Sequence, residues 1–219
     1  MTRSELARML DHSVLKPEST ESDIRAGAEV VRVERIGFYC VPPSWVTSAA
    51  QALAGTDAHI VAVVGFPHGN ELPDIKARAA AIAIDDGARE IDVVQNLGRL
   101  KSGHAALVAA DIAAVVRAAA NVPVKVILET AALTEVETVL ACRLCVEGGA
   151  AFVKTSTGFH PAGGATIAAV RRLRREVGPQ FGVKASGGIR TLADTLAMID
   201  AGANRIGTSA SAAILAAAD

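Results

Sequence analysis

Four apolar segments carry an ionisable group where a buried strand would ordinarily hold none: Glu90-Ile-Asp-Val-Val, Val124-Lys-Val-Ile-Leu-Glu, Ala151-Phe-Val-Lys-Thr and Phe181-Gly-Val-Lys-Ala. A charge withdrawn from water costs several kcal/mol unless it is paired, so such positions point to function. Lysine is a nucleophile only as the free amine, and its ordinary pKa of ~10.4 leaves less than ~0.1% of it neutral at pH 7. A drop of ~3 units, or ~4 kcal/mol, follows from partial burial plus a second cation nearby. Lys154 and Lys184 fit that scheme, one as the amine and the other as its cationic companion, with Asp92 beside them. The same lysines could instead form buried ion pairs with Asp92 or Glu129, and these segments alone leave both readings open.

A second chemistry is written in the loops. Ser186-Gly-Gly-Ile-Arg-Thr191 and Gly207-Thr-Ser-Ala-Ser211 each run from a predicted strand into a predicted helix. Glycines there let backbone N–H groups approach an anion, and a helix amino terminus adds favourable charge. Thr155-Ser-Thr-Gly158 supplies a further wall.

Positioning these groups requires a regular frame. Strands are predicted at Met9 to His12, Gly37 to Val41, His59 to Gly65, Glu90 to Val94, Pro123 to Glu129, Ala151 to Lys154, Phe181 to Ala185 and Asn204 to Gly207. Ala-rich helical stretches lie between them, among them Glu71 to Asp86, His104 to Ala120, Thr134 to Glu147, Thr166 to Val177 and Thr191 to Ala201. Several end at glycine before the next strand. Eight strand–helix units in 219 residues predict a single (β/α)8 TIM barrel over residues 1–219, without long inserts. A doubly wound sheet would more often carry a glycine fingerprint after its first strand, and none is present. In a barrel, Asp92, Lys154 and Lys184 meet at the mouth formed by the strand carboxyl ends, and the loops after strands seven and eight hold phosphate.

Composition narrows the function classes. Hydrophobic residues are 51% and charged residues 21%, which excludes disorder, and a net charge of −1 gives no basic excess for nucleic acid. The longest apolar runs fall short of the ~20 residues of a membrane span, and the amino terminus lacks a secretory pattern, so a cytoplasmic protein that binds neither membrane nor nucleic acid is expected. Three cysteines read as free thiols.

Taken together, Asp11-His-Ser-Val-Leu-Lys-Pro17, Phe66-Pro-His-Gly69, Glu90-Ile-Asp-Val-Val-Gln-Asn96, Lys125-Val-Ile-Leu-Glu-Thr130, Phe152-Val-Lys-Thr-Ser-Thr-Gly158, Lys184-Ala-Ser-Gly-Gly-Ile-Arg190 and Arg205-Ile-Gly-Thr-Ser209 resemble the 2-deoxyribose-5-phosphate aldolases. These are class I Schiff-base aldolases on a barrel, and the matching segments run in family order across residues 11–209. The resemblance implies a phosphosugar substrate, Lys154 as Schiff-base amine, and Lys184 and Asp92 in the proton relay. It places the substrate phosphate at Gly187, Gly188 and Ser209, with Thr157 and Gly158 as additions and Asp11 and Cys40 as contacts on the first two strands. It implies neither metal nor organic cofactor, a role in deoxynucleoside catabolism, and is compatible with a homodimer.

Two features depart from the family pattern. Ala210 stands where a second serine is common, and Ser211, turned ~100° further round a helix, cannot replace it; the Ala210 N–H is left as the contact. The chain also stops at Asp219 without a tyrosine-bearing tail. Both predict a functional aldolase of modest turnover. Other readings of the same barrel are a phosphosugar isomerase, a different Schiff-base aldolase or a sugar-phosphate sensor.

The remaining signals read as structure. Cys142 and Cys145 fall inside a helical pattern, the five histidines lack ligand spacing, and Arg171-Arg-Leu-Arg-Arg175 reads as a solvated face. Pro42, Pro43 and Trp45 mark a helix start, while Lys125 and Glu129 share a parity that would turn both inward as a supporting ion-pair network.

Overall fold

The computed structural model describes residues 1–218. Eight parallel strands close a barrel in sequence order: β1 (Leu10–Ser13), β2 (Phe38–Val41), β3 (His59–Val64), β4 (Glu90–Val94), β5 (Val124–Ile127), β6 (Phe152–Lys154), β7 (Gly182–Ser186) and β8 (Arg205–Thr208). All eight predicted strands are present. The fifth is shorter than expected, because Glu129 adopts a left-handed backbone (φ 55°, ψ 57°) that leaves the strand.

Around the barrel lie α1 (Arg3–Met9), α2 (Glu21–Val33), α3 (Val46–Ala52), α4 (Pro73–Asp85), α5 (Leu97–Lys101), α6 (Ala105–Ala118), α7 (Glu135–Glu147), α8 (Ile167–Val177), α9 (Leu192–Asp200) and α10 (Ser211–Ala216). Their starts are encoded locally. Thr20 with Asp23 and Thr134 with Glu137 form reciprocal capping boxes at α2 and α7, satisfying amide groups that a helix start leaves free. Prolines 42 and 43 open a short 3-10 turn that leads into α3, as expected. The main core lies between helices and barrel and is built of Ala, Val, Leu and Ile.

The barrel interior is divided by chemistry. Cys40, Val61 and Val63 form an apolar wall from β2 and β3. Beside it, with Glu90 and Asp92 paired in register to Val61 and Val63, Asp11, Glu90, Asp92, Lys125, Lys154, Lys184 and Arg205 are all buried. Strand register sets their levels: Lys154 pairs Lys184, Asp92 pairs Lys125, and Lys184 pairs Arg205. Among the described residues no helix is long and apolar enough to cross a membrane.

Candidate active site

The site grows from a chain of alternating charge that climbs the barrel axis. At its base Arg205 donates to Glu90 (2.8 Å) and stacks on Phe38, its guanidinium 3.2 Å from the ring centre. Lys125 then bridges Glu90 (2.6 Å) and Asp92 (2.8 Å). Above it, Lys154 and Lys184 both donate to the same Asp92 Oδ2, each at 2.8 Å. Lys184 also donates to Asp11 on β1. Gly207 makes this approach possible: a Cβ there would stand 3.0 Å from Lys184 Cε.

These contacts fix the protonation of two members. Burial disfavours the charge of Lys184, yet Asp11 and Asp92 overcome it and hold the ammonium above the usual lysine range. Burial alone would raise the Asp92 pKa, and Lys125, Lys154 and Lys184 together press it well below the carboxylate range. Asp92 is therefore an anion shared among three lysines, and Lys184 a fixed cation. Counted over the cluster, three carboxylates (Asp11, Glu90, Asp92) face four cations (Lys125, Lys154, Lys184, Arg205), so the cluster is neutral when one lysine lacks its proton.

Above this floor opens a cavity of about 640 Å³, lined by Lys154 and Lys184 together with Asp11, Cys40, Thr157, Gly158, Gly187, Gly188 and Ser209. Nine of the ten residues singled out from the sequence thus share one cavity, while Asp92 lies beneath it, 0% exposed. The Cys40 thiol is pushed up to about 12, first by burial and then by Asp11, and stays protonated. Asp11, Cys40 and Asp92 are the one group of three metal-type ligands found together among the described residues, and the Lys184 ammonium bonds both carboxylates within it.

On the rim, the N–H groups of Gly158, Gly187, Gly188 and Ser209 have no acceptor among the described residues and border the same cavity. Gly187 must be glycine twice over: its φ is 90°, and a Cβ would meet Gly164 Cα at 3.0 Å and Gly158 Cα at 3.2 Å. Arg190 and Lys16 add positive charge to the lining.

Thr157 borders the cavity, and its N–H (3.3 Å) and Oγ1 (2.5 Å) donate to Glu129. Two expectations are corrected. The Ala210 N–H is taken by Thr208 Oγ1 at 2.9 Å, and the buried Ser211 hydroxyl turns to His12 Nδ1 at 3.1 Å. Neither reaches the rim. Glu129, expected to face inward with Lys125, points to the loop after β6 instead. Sequence reasoning also missed the pairing of Glu90 with Arg205 and the buried Lys76, which links α4 to Asp111 on α6 (2.6 Å) and to the Val94 carbonyl (2.9 Å). The first had a signal, since Glu90 and Asp92 are two apart on one strand; the second had none.

Residues 6–217 match the DeoC/LacD family aldolases. This chain belongs to that family. It is 52% identical over 217 residues to the deoxyribose-phosphate aldolase of Methanothermobacter thermautotrophicus, covering 98% of this chain and 95% of that one. With the deoxyribose-phosphate aldolase of Enterococcus faecalis it shares 49% identity over 98% of this chain and 97% of the other. Among solved structures, an aldolase called QR15 superposes with a TM-score of 0.92 at 36% identity, covering 97% and 95% of the two chains. The deoxyribose phosphate aldolase of Aeropyrum pernix, described as a tetramer, gives 0.92 at 30% identity over 99% and 92%. A lysine-rich barrel floor under a cavity with an amide-lined rim is thus the setting of an aldolase, a carbon–carbon lyase.

Proposed function

We propose that this aldolase reversibly cleaves 2-deoxy-D-ribose 5-phosphate to D-glyceraldehyde 3-phosphate and acetaldehyde through a Schiff base on Lys154. The reading rests on one observation: Lys154 and the fixed cation Lys184 share a single carboxylate oxygen at the floor of a cavity whose rim offers free amide donors. The cluster holds four cations against three carboxylates. Lys154 borders the cavity and, among the described residues, bonds to Asp92 alone, whereas Lys184 is anchored by two carboxylates.

The neutral amine attacks C1 of the open-chain sugar to give a carbinolamine, and loss of water leaves a protonated imine that acts as an electron sink. Removal of the C3 hydroxyl proton breaks C2–C3, turning C3 into the aldehyde of glyceraldehyde 3-phosphate. The electron pair passes into an enamine on Lys154. Protonation of the enamine carbon and addition of water then release acetaldehyde and restore the amine. Asp92 and Lys184 serve the proton transfers: Asp92, a weak base beside the Lys125 and Lys184 ammoniums, returns a proton readily, and Lys184 holds the local charge constant.

The phosphate is bound by the amides of Gly158, Gly187, Gly188 and Ser209, with Arg190 near. Asp11 anchors Lys184, and Cys40 closes the apolar side. No step calls for a metal or organic cofactor. Association into a homodimer belongs to the same reading, supported by the exposed Leu72, Ile75 and Ile82 along and just before α4.

The test is borohydride reduction in the presence of acetaldehyde, followed by peptide mass mapping. An ethyl group on Lys154, absent in Lys154→Arg, is the expected result. An adduct on another residue, or none while the sugar phosphate still binds, overturns the assignment.

A further inference from the structure

Glu129 is the unusual residue of the site's surroundings. It is buried, 1% exposed, and holds a left-handed backbone that costs a non-glycine residue about 1 kcal/mol or more. A glycine would take the same backbone freely, so the side chain is what the position retains. Among the described residues no cation lies within ion-pair distance of its carboxylate. Its only partners among them are the N–H of Thr157, 3.3 Å from both oxygens, and the Thr157 hydroxyl at 2.5 Å.

The surrounding backbone frames this contact on both sides. Leu128 N–H donates to Lys154 O and Thr130 N–H to Thr155 O, each at 2.9 Å, extending the β5–β6 ladder past the strand ends. The left-handed turn at Glu129 falls between those bonds and throws its side chain across to residue 157. Thr157 Oγ1 in turn accepts the Phe159 N–H at 3.1 Å, which fixes the chain on the far side of Gly158. Gly158, with φ 85°, is thereby held with its own N–H unengaged, its Cα against Gly187 of the next loop.

We propose that Glu129 is a positioning residue for phosphate recognition: by taking both donors of Thr157 it clamps the loop after β6 so that the Gly158 amide, and not that of Thr157, faces the ligand. The clamp also protects selectivity. An unclamped loop could turn either residue's amide to the cavity, and a mobile donor contributes little to binding because it must be ordered first. The proposal rests on the phosphate reading given above.

The test compares kcat/KM for 2-deoxyribose 5-phosphate and for unphosphorylated 2-deoxyribose. Glu129→Gln keeps the shape but sets an amide NH2 against one Thr157 donor. Thr157→Val removes the hydroxyl and keeps the N–H. In each, the preference for the phosphorylated sugar falls about tenfold, through KM, the scale of one hydrogen bond to a charged group. The double variant falls no further than either single one, because both break one contact. Inhibition by inorganic phosphate weakens in parallel.

A purely structural role would lower the melting temperature or both activities together, leaving the preference unmoved, and that result overturns the clamp. Additive effects in the double variant overturn it as well. If the unaltered enzyme shows no preference for the phosphorylated sugar and no inhibition by phosphate, the phosphate reading itself falls and the clamp with it; the two failures are distinguished by the unaltered protein alone.

Discussion

Lys184→Met tests whether a fixed cation beneath the cavity is needed for chemistry apart from stability. Lys184 is 1% exposed and bonds Asp11 and Asp92. Removing it leaves Asp92 with Lys125 and Lys154, but Asp11 loses its only donor among the described residues, its other oxygen being unpartnered already. The penalty therefore falls on one uncompensated buried carboxylate, about 3–5 kcal/mol for a broken buried pair. At roughly 2–4 °C per kcal/mol for a chain of this size, calorimetry should show a melting point lower by about 10 °C. Adding Asp11→Asn replaces that charge with a neutral amide and should restore most of the lost stability. Activity should not follow, because the cation that shares the Asp92 oxygen with Lys154 is still missing. The measurements are a melting curve and a coupled assay for glyceraldehyde 3-phosphate on wild type, both single variants and the double. If the double variant regained activity along with stability, Lys184 would be only a counter-ion to Asp11; if Lys184→Met melted like wild type, the Asp11 contact would contribute nothing.

Other outcomes follow from the same geometry. Gly187→Ala forces a side chain into a φ of 90° and against Gly164 and Gly158; KM for the phosphorylated sugar should rise about tenfold or more, checked by initial rates, while an unchanged KM would remove the amide rim from phosphate binding. Lys76→Met strands Asp111, whose pKa is already raised by burial against the lowering effect of Lys76. Urea unfolding should show a loss of roughly 3 kcal/mol at pH 7 that shrinks in acid as Asp111 takes up a proton, and a loss equal at both pH values would contradict this. The pH dependence of the wild type should have two stages. Burial lowers the His12 pKa, so the native state prefers the neutral ring and stability declines as pH drops below about 6.5. Glu90 and Asp92 have depressed pKa values despite burial, through their lysine and arginine partners, so their contribution is complete above about pH 4.5 and is lost below it. His12→Gln should abolish the first stage alone in chemical denaturation followed from pH 8 to 3.

Much of this was legible in the chain itself. Eight apolar runs spaced by capped, Ala-rich helices define a barrel because each strand is buried on both faces and each helix begins and ends on short-range signals, as the capping boxes at Thr20 and Thr134 do. Lys154, Lys184 and Asp92 stood out because a charge in an apolar strand has few uses other than chemistry. What the chain could not reveal was which donors are already taken. Thr157 has the right type and Ala210 a backbone N–H at the right spacing, yet one gives its donors to Glu129, 28 residues away in sequence, and the other its N–H to Thr208. Lys125 and Glu129 share a strand parity, but a single left-handed residue parts them. Propensity, periodicity and capping act over a few residues, and these determined the barrel and marked the lysines that interrupt its apolar strands. Hydrogen-bond satisfaction and charge balance are settled among groups brought together only by closing the barrel, so tertiary structure alone decided which amides remain free for a ligand and which cations share each carboxylate.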